Sequence, residues 1–276
     1  MSTYKELLQA AVIKLKQQKI EDAEIDAWYL LEHVFRIKRI DYFLRQDSLA
    51  PEKEILHYEN LILKRASHIP LQHIIGNQEF MGLEFEVSKD VLIPRQDTEI
   101  LVEEVLKVCE HKEILDMCTG SGCIIISLAK LSSLKKAVGV DISEQALLIA
   151  AKNSRKHIVN IEFIQSNLFE KLEGIYDIIV SNPPYIPTGE IEGLMPEVKD
   201  HEPMLALDGD LDGLVFYRNI SFEAMRFLKP KGYLFFEIGH DQGKAVENIL
   251  STQGYENIKV IKDLSGHDRV VSARIP

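Results

Sequence analysis

The 276-residue sequence has no run of 18 apolar residues, so it offers no segment able to cross a membrane as a helix. Its first residues, Met1-Ser2-Thr3-Tyr4-Lys5-Glu6, lack the apolar core of a secretory leader, and the expected compartment is the cytosol. Cysteine is scarce. Cys109, Cys118 and Cys123 form no C-x-x-C pair, which excludes a disulfide framework and speaks against a zinc site; reduced thiols are expected. There is no internal repeat and no low-complexity tract. Basic charge is also in short supply, with 32 Lys+Arg against 43 Asp+Glu and a net charge of −11. Residues 1–75 hold 11 side chains of each sign, so the remaining 201 residues carry the whole excess. An acidic surface repels phosphate backbones, which weighs against nucleic acid as the main partner. What is present is ordinary for a globular protein: 46% hydrophobic and 27% charged residues, enough for one large domain or two smaller ones.

One stretch organises the rest. Tyr176-Asp177-Ile178-Ile179-Val180 reads as a buried strand, and Ser181-Asn182-Pro183-Pro184-Tyr185 follows it. Two prolines cannot donate to a ladder, so the strand stops at Asn182. In an open parallel α/β sheet, ligands bind outside the carboxyl ends of the strands. Asn182 offers a side-chain carbonyl and Pro183 a backbone carbonyl, two acceptors that match the two hydrogens of a planar NH2 group. Tyr185 adds a flat face for an amide or a base. The plainer alternative is a strand terminator with an Asn turn.

Along the chain, residues 1–70 read as helices. Leu7, Leu8, Ala11, Val12 and Leu15 recur at helical spacing, and so do Ala27, Trp28, Leu31, Val34 and Phe35. Thr3 with Glu6 has the form of a capping box, and a further helix opens after Pro51. Residues 71–94 read as a hairpin linker, with a strand over 80–87 followed by Val91-Leu92-Ile93. A helix opens after Pro94, with Asp97 or Thr98 as its cap. From residue 113 strand and helix alternate: strands at 114–117, 137–141, 161–164, 176–181 and 232–238, a helix capped by Ser143, and two late strands at 257–261 and 269–275 with no helix between them. This is a doubly wound α/β sheet whose last strand is antiparallel. Segment 182–211 has little periodicity and sits beside the expected site; loops that long in a compact domain are usually functional or disordered.

Between the first strand and its helix lies Asp116-Met117-Cys118-Thr119-Gly120-Ser121-Gly122-Cys123. Glycines here let backbone approach a ligand closely. No Lys-Ser/Thr follows them, so this is not a phosphate-cradling loop, and Ile125 stands where a dinucleotide fingerprint needs its third glycine. Asp141 ends the second strand and can accept both hydroxyls of a ribose. Asp116 is expected near a ligand's ammonium group. A cofactor with a ribose, an ammonium and no phosphate is S-adenosylmethionine.

Several stretches then resemble one family, the release-factor glutamine methyltransferases (HemK/PrmC) among the Rossmann-like class I methyltransferases. They are Leu92-Ile93-Pro94-Arg95-Gln96-Asp97-Thr98-Glu99, Asp116 to Gly122, Val140-Asp141-Ile142-Ser143, Ser166-Asn167-Leu168-Phe169, Asn182 to Pro187, Glu202-Pro203, Asp212-Gly213-Leu214, and Glu237-Ile238-Gly239-His240-Asp241-Gln242. The resemblance covers nearly the whole chain and implies a seven-stranded methyltransferase domain at 95–276, a hairpin linker at 71–94 and a helical substrate-docking domain at 1–70. It implies methyl transfer from S-adenosylmethionine to the side-chain amide of the glutamine in the Gly-Gly-Gln motif of peptide chain release factors. Asn182, Pro183 and Tyr185 would be catalytic, and with Pro184 would bind substrate. Asp116, Cys118, Thr119, Gly120, Ser121, Gly122, Asp141, Asn167, Leu168 and Asn182 would hold the cofactor. Four positions depart from the pattern: Cys118 replaces a glycine, Asn167 an aspartate, Gln96 a proline and Asp210 a glycine. His201 and His240 are candidate bases by position alone. The alternative activity is amino-group methylation of DNA or RNA bases, and a non-catalytic scaffold is a third reading.

Overall fold

The structure, a computed structural model, describes residues 2–276. It divides into two compact units. The first runs up to Gly76 and takes in Met195–His201. Its helices are α1 (Tyr4–Gln17), α2 (Ala23–Phe35), α3 (Arg39–Arg45), α4 (Glu52–Ala66) and α5 (Leu71–Ile75). The expected capping box is present. The Glu6 amide donates to Thr3 Oγ1 at 3.2 Å and the Thr3 amide to Glu6 Oε2 at 2.8 Å. Helix α4 opens directly after Pro51, as expected. Helices α3 and α5 were not foreseen; at seven and five residues they are too short to display a period.

Apolar faces of α1, α2 and α4 close over Leu15, Leu30, Leu31 and Tyr58, all fully enclosed. The Tyr58 hydroxyl donates to the Ala27 carbonyl at 3.0 Å, so its polar atom is satisfied inside the core. Arg65 is buried there too. It pairs with Asp26 at 2.6 Å and with Glu197 at 3.0 Å, and Glu197 also meets His68 Nδ1 at 3.0 Å. Glu197 lies in a one-turn helix, Pro196–Lys199, far along the chain.

The second unit comprises Asn77–Leu194 and Glu202–Pro276. It opens with a hairpin of β1 (Asn77–Phe80) and β2 (Leu83–Glu86). The hairpin was expected, but its strands were not. The strand over 80–87 does not pair forward with 91–93. It pairs backward, because Met81 (φ +52°) and Gly82 (φ +71°) both take the left-handed region that a tight two-residue hairpin turn requires. Val91 and Ile93 are buried without joining a ladder. The division at Gly76 also groups the hairpin with the sheet unit, and falls neither at 70 nor at 94.

Helix α6 (Gln96–Leu106) follows, and its cap is also corrected: Arg95 occupies the cap position and makes no side-chain capping bond. Asp97 instead pairs with Arg269 at 3.0 Å, and Thr98 turns into the interior. The strands β3 (Glu113–Met117), β4 (Lys136–Asp141), β5 (Glu162–Gln165), β6 (Tyr176–Ser181), β7 (Leu228–Glu237), β8 (Glu256–Lys262) and β9 (Asp268–Arg274) form one sheet in the order β5-β4-β3-β6-β7-β9-β8. All neighbours pair in parallel except β9, which is antiparallel to both β7 and β8. This is the expected seven-stranded sheet. Helices α7 (Cys123–Leu131) and α8 (Glu144–His157) connect its first strands, and Ser143 caps α8 by accepting from the Ala146 amide at 3.2 Å. Strand β7 starts four residues earlier than expected and carries Pro230, which the irregular register between Tyr176 and Ile178 leaves outside the ladder. The long loop is not structureless: it holds 3-10 turns at Thr188–Gly193 and Met204–Ala206. No helix among the described residues is long and apolar enough to cross a membrane.

Candidate active site

Strand order reverses between β3 and β6, and their carboxyl ends open on a cavity of about 1130 Å³ including its mouth. That is where the topology of an open α/β sheet places a ligand. The loop after β3 forms one wall. Cys118, Gly120 and Gly122 all hold left-handed φ angles, at +63°, +53° and +79°. A Cβ on Gly122 would come within 2.8 Å of Ile126 Cδ1 and 3.2 Å of Ala150 Cβ, so glycine there lets α7 and α8 close together. The loop is fastened from β4. The Asp141 carboxylate accepts from the Gly120 amide at 2.8 Å with one oxygen and from the Ser143 amide at 2.9 Å with the other. Each oxygen keeps a second lone pair for a ligand hydroxyl. Burial raises the Asp141 carboxyl above its ordinary range, and the backbone amides of Ser143, Gly120 and Ile142 oppose that shift.

Asp116 is placed differently from expectation. Its side chain is fully enclosed behind the loop and does not reach the cavity wall. It accepts from Thr119 Oγ1 at 2.6 Å, and burial pushes its carboxyl up to about 7. Its visible part is to hold the loop. Asn167 is on the wall. Its NH2 group donates to Glu170 at 2.7 Å, which leaves its carbonyl oxygen for an adenine amino group. Arg95 is the one basic side chain lining the cavity among the described residues, and Glu202 holds it at 2.6 Å. With no free cation, the cavity is not built for phosphate. With Asp90 and Asp141 on its wall, it suits a cation. These residues fit S-adenosylmethionine, a ribose-bearing sulfonium with an ammonium and no phosphate.

Asn182 and Pro184 also line this cavity, while Pro183 is buried and Tyr185 is half-buried beside it. Asn182 Nδ2 donates to Thr98 Oγ1 at 3.4 Å. The Tyr185 hydroxyl donates to Glu237 Oε1 at 3.5 Å, and the Tyr185 carbonyl accepts from Gln242 Nε2 at 2.9 Å. A Cβ on Gly209 would meet the Tyr185 backbone at 2.8 Å, and one on Gly213 would collide with the Tyr185 carbonyl oxygen, so both loop glycines are needed where the loop crosses this segment. Glu237 is buried. Burial pushes its carboxyl up to about 7, with the Thr98 hydroxyl and the Arg269 charge pulling back.

The structure thus gathers Cys118, Thr119, Gly120, Ser121, Asp141, Asn167, Leu168 and Asn182 around one cavity. Asp116 and Gly122 stand behind its wall. Neither His201 nor His240 lines it. Sequence reasoning assigned no site role to Thr98, Gly209, Gly213, Glu237 or Gln242, although all but Gly209 lie in a stretch that carried the resemblance. The available signal was a polar residue at a strand end, Glu237, in a run otherwise apolar.

A parallel sheet with an antiparallel last strand, a glycine loop after its first strand and a carboxylate at the end of its second define a class I S-adenosylmethionine-dependent methyltransferase. Solved folds agree: a methyltransferase from Pyrococcus furiosus superposes with a TM-score of 0.54 at 18% identity, over 79% of this chain and 98% of that one. The 16S rRNA N2 G1207 methyltransferase of T. Thermophilus, solved with AdoMet and guanosine, gives 0.53 at 18% identity, over 72% and 50%. Residues 6–76 match the model of the PrmC N-terminal domain and residues 95–260 that of the methyltransferase small domain. The release factor glutamine methyltransferase of Geobacter sulfurreducens is 40% identical over 95% of this chain and 93% of its own. That of Clostridium acetobutylicum is 40% identical over 98% and 97%. The chain belongs to the release factor glutamine methyltransferase family.

Proposed function

We propose that the chain methylates the side-chain amide nitrogen of the glutamine in the Gly-Gly-Gln motif of peptide chain release factors, in the cytoplasm. The observation that carries this reading is Asn182 on the cavity wall with its NH2 group already engaged by Thr98, so that its carbonyl oxygen is the free end of the amide. Bound in the cavity, S-adenosylmethionine supplies a methyl group on a sulfonium and leaves as S-adenosylhomocysteine. Asp141 and Asn167 hold its ribose and adenine, with Leu168 beside them. An amide nitrogen is a weak nucleophile because its lone pair is delocalised. Asn182 Oδ1 and the Pro183 carbonyl accept hydrogen bonds from its two hydrogens and hold the nitrogen in place. One of those hydrogens leaves as a proton to solvent once the N–CH3 bond has formed and the S–CH3 bond has broken. Tyr185 packs beside the amide plane. Positioning of this kind lowers a barrier by up to roughly 7–11 kcal/mol. The family's name and the acidic sheet unit favour a protein substrate over DNA or RNA bases.

A lone glutamine offers little surface for selection, so the body of the release factor must be held elsewhere. The helical unit is our candidate. Helix α3 exposes Ile40, Phe43 and Leu44, at 70%, 66% and 81%. An unpartnered apolar face on a charge-balanced module fits recognition by shape.

Incubation with labelled S-adenosylmethionine and separate pools of release factor, DNA and RNA tests the activity. Label on the glutamine, located by mass spectrometry, supports it; label confined to nucleic acid overturns it. Phe43→Asp with Leu44→Asp tests the docking face. Loss of kcat/KM on the intact release factor, with none on a short Gly-Gly-Gln peptide, is expected; equal loss on both removes α3 from recognition.

A further inference from the structure

We infer that Thr98 and Glu237 are positioning residues that set which end of the Asn182 amide faces the substrate. The inference rests on the reading of Asn182 as the acceptor for a substrate NH2 group. An asparagine amide has a donor end and an acceptor end of nearly the same shape. Flipped by half a turn, Asn182 would present its own NH2 to the substrate's NH2, and two donors would face each other.

The buried side chains decide between the two. Thr98 is enclosed on α6, Asn182 Nδ2 donates to its hydroxyl at 3.4 Å, and that hydroxyl is near enough to Glu237 to counter the burial of its carboxyl. A hydroxyl has one hydrogen. Glu237 sits at the carboxyl end of β7, 1% exposed, and its Oε2 is buried with no hydrogen-bond partner of its own. When ionised, the carboxylate accepts and does not donate, and its unpartnered Oε2 is an acceptor open to the Thr98 hydrogen. Thr98 Oγ1 is then left as an acceptor toward Asn182, and only the NH2 end can satisfy it. The Tyr185 hydroxyl donates to the other oxygen, Oε1, so the same carboxylate orients the side chains of both Asn182 and Tyr185. The groups that face Glu237 are Thr98 and Asp97 from α6, Tyr185 after β6, Arg269 from β9, Cys123 from α7, and Tyr217, whose hydroxyl donates to the Glu237 carbonyl at 3.0 Å. Arg269 pairs with Asp97 and Asp263, at 3.0 and 3.2 Å, and its Nε is buried without a partner.

Glu237→Gln gives Thr98 a neighbour that can donate as well as accept, and Thr98→Val removes the hydroxyl while keeping the shape. Each should lower kcat on the release factor about tenfold or more, with S-adenosylhomocysteine affinity within about twofold of wild type. Thr98→Ser, which keeps the hydroxyl, should restore kcat. A second readout needs no turnover. The side-chain 1H–15N pair of Asn182, identified by its loss in Asn182→Asp, should move in Thr98→Val and stay in Thr98→Ser. A Thr98→Val protein with wild-type kcat and an unmoved Asn182 pair overturns the inference. Wild-type protein that puts no methyl on glutamine overturns the proposed activity instead, and the Asn182 resonance still tests the amide orientation.

Discussion

The two units bury carboxylates in opposite ways. In the helical unit, Asp26 lies under Arg65 at 2.6 Å, and Glu197 takes the same guanidinium from the other side at 3.0 Å. In the sheet unit, Asp116 and Glu237 are more deeply enclosed, and hydroxyls are their hydrogen-bond partners: Thr119 at 2.6 Å for Asp116 and Tyr185 at 3.5 Å for Glu237. A buried ion pair fixes packing, because either partner alone would be stranded. A buried carboxylate served by hydroxyls fixes directions instead, since each hydroxyl has a single hydrogen to give. The first arrangement assembles a module. The second orients the side chains around a cavity, and carboxyls pushed up to about 7 gather there.

Breaking the paired side should have the largest effect. Arg65→Met leaves Asp26 and Glu197 without their cation and should cost the helical unit about 3–5 kcal/mol. Denaturant unfolding measures it, and S-adenosylhomocysteine affinity of the folded protein should be unchanged. Stability equal to wild type would dissolve the contrast.

The hydroxyl-served side is tested by pH. The folded-state pKa of Glu237 is raised from the ordinary 4.5 to about 7. Its contribution to stability is therefore fully present below 4.5 and is lost as pH rises toward about 7. Glu237→Gln does not titrate, so its stability relative to wild type should climb across that window by up to about 3 kcal/mol. Thermal melts of both proteins from pH 4.5 to 8 would show it, and parallel curves would mean that Glu237 titrates normally.

Asp141→Ala removes a carboxylate that fastens the loop and, on the proposed reading, takes the ribose. It should weaken S-adenosylhomocysteine by about 1.5–3 kcal/mol, read by calorimetric titration. Unchanged affinity would remove Asp141 from the ribose site. The smallest effect is expected at Cys118, a non-glycine residue at φ +63°. Cys118→Gly relieves that strain and should raise stability by about 1 kcal/mol. A loss in thermal melting would show that the thiol's packing outweighs its backbone.

Much of the site was legible because it is local. Asn182, Pro183 and Pro184 stop their own strand, Asp141 ends its own strand, and Thr119-Gly120-Ser121 follow theirs. Each reading needed only neighbours in the chain and the rule that ligands gather at strand ends. The hairpin register failed for an equally local reason: the left-handed turn falls at Met81-Gly82, and Met81 carries no turn signal. The cap of α6 failed because Asp97 and Thr98 found partners elsewhere, at Arg269 and Asn182.

By itself the sequence determined the alternation of strand and helix, the seven-stranded sheet, the acidic character of the sheet unit and the strand ends where the cavity opens. Those follow from side-chain period, from prolines and glycines, and from counted charge. Only the tertiary structure decided which distant groups would share a proton or a charge: Thr98 with Asn182 across 84 residues, Tyr185 with Glu237 across 52, and Arg65 with Glu197 across 132. Strand order and helix packing bring those pairs together. Neither residue of a pair carries a local mark of the other, because a hydrogen bond depends on distance in space and the chain records only distance along itself.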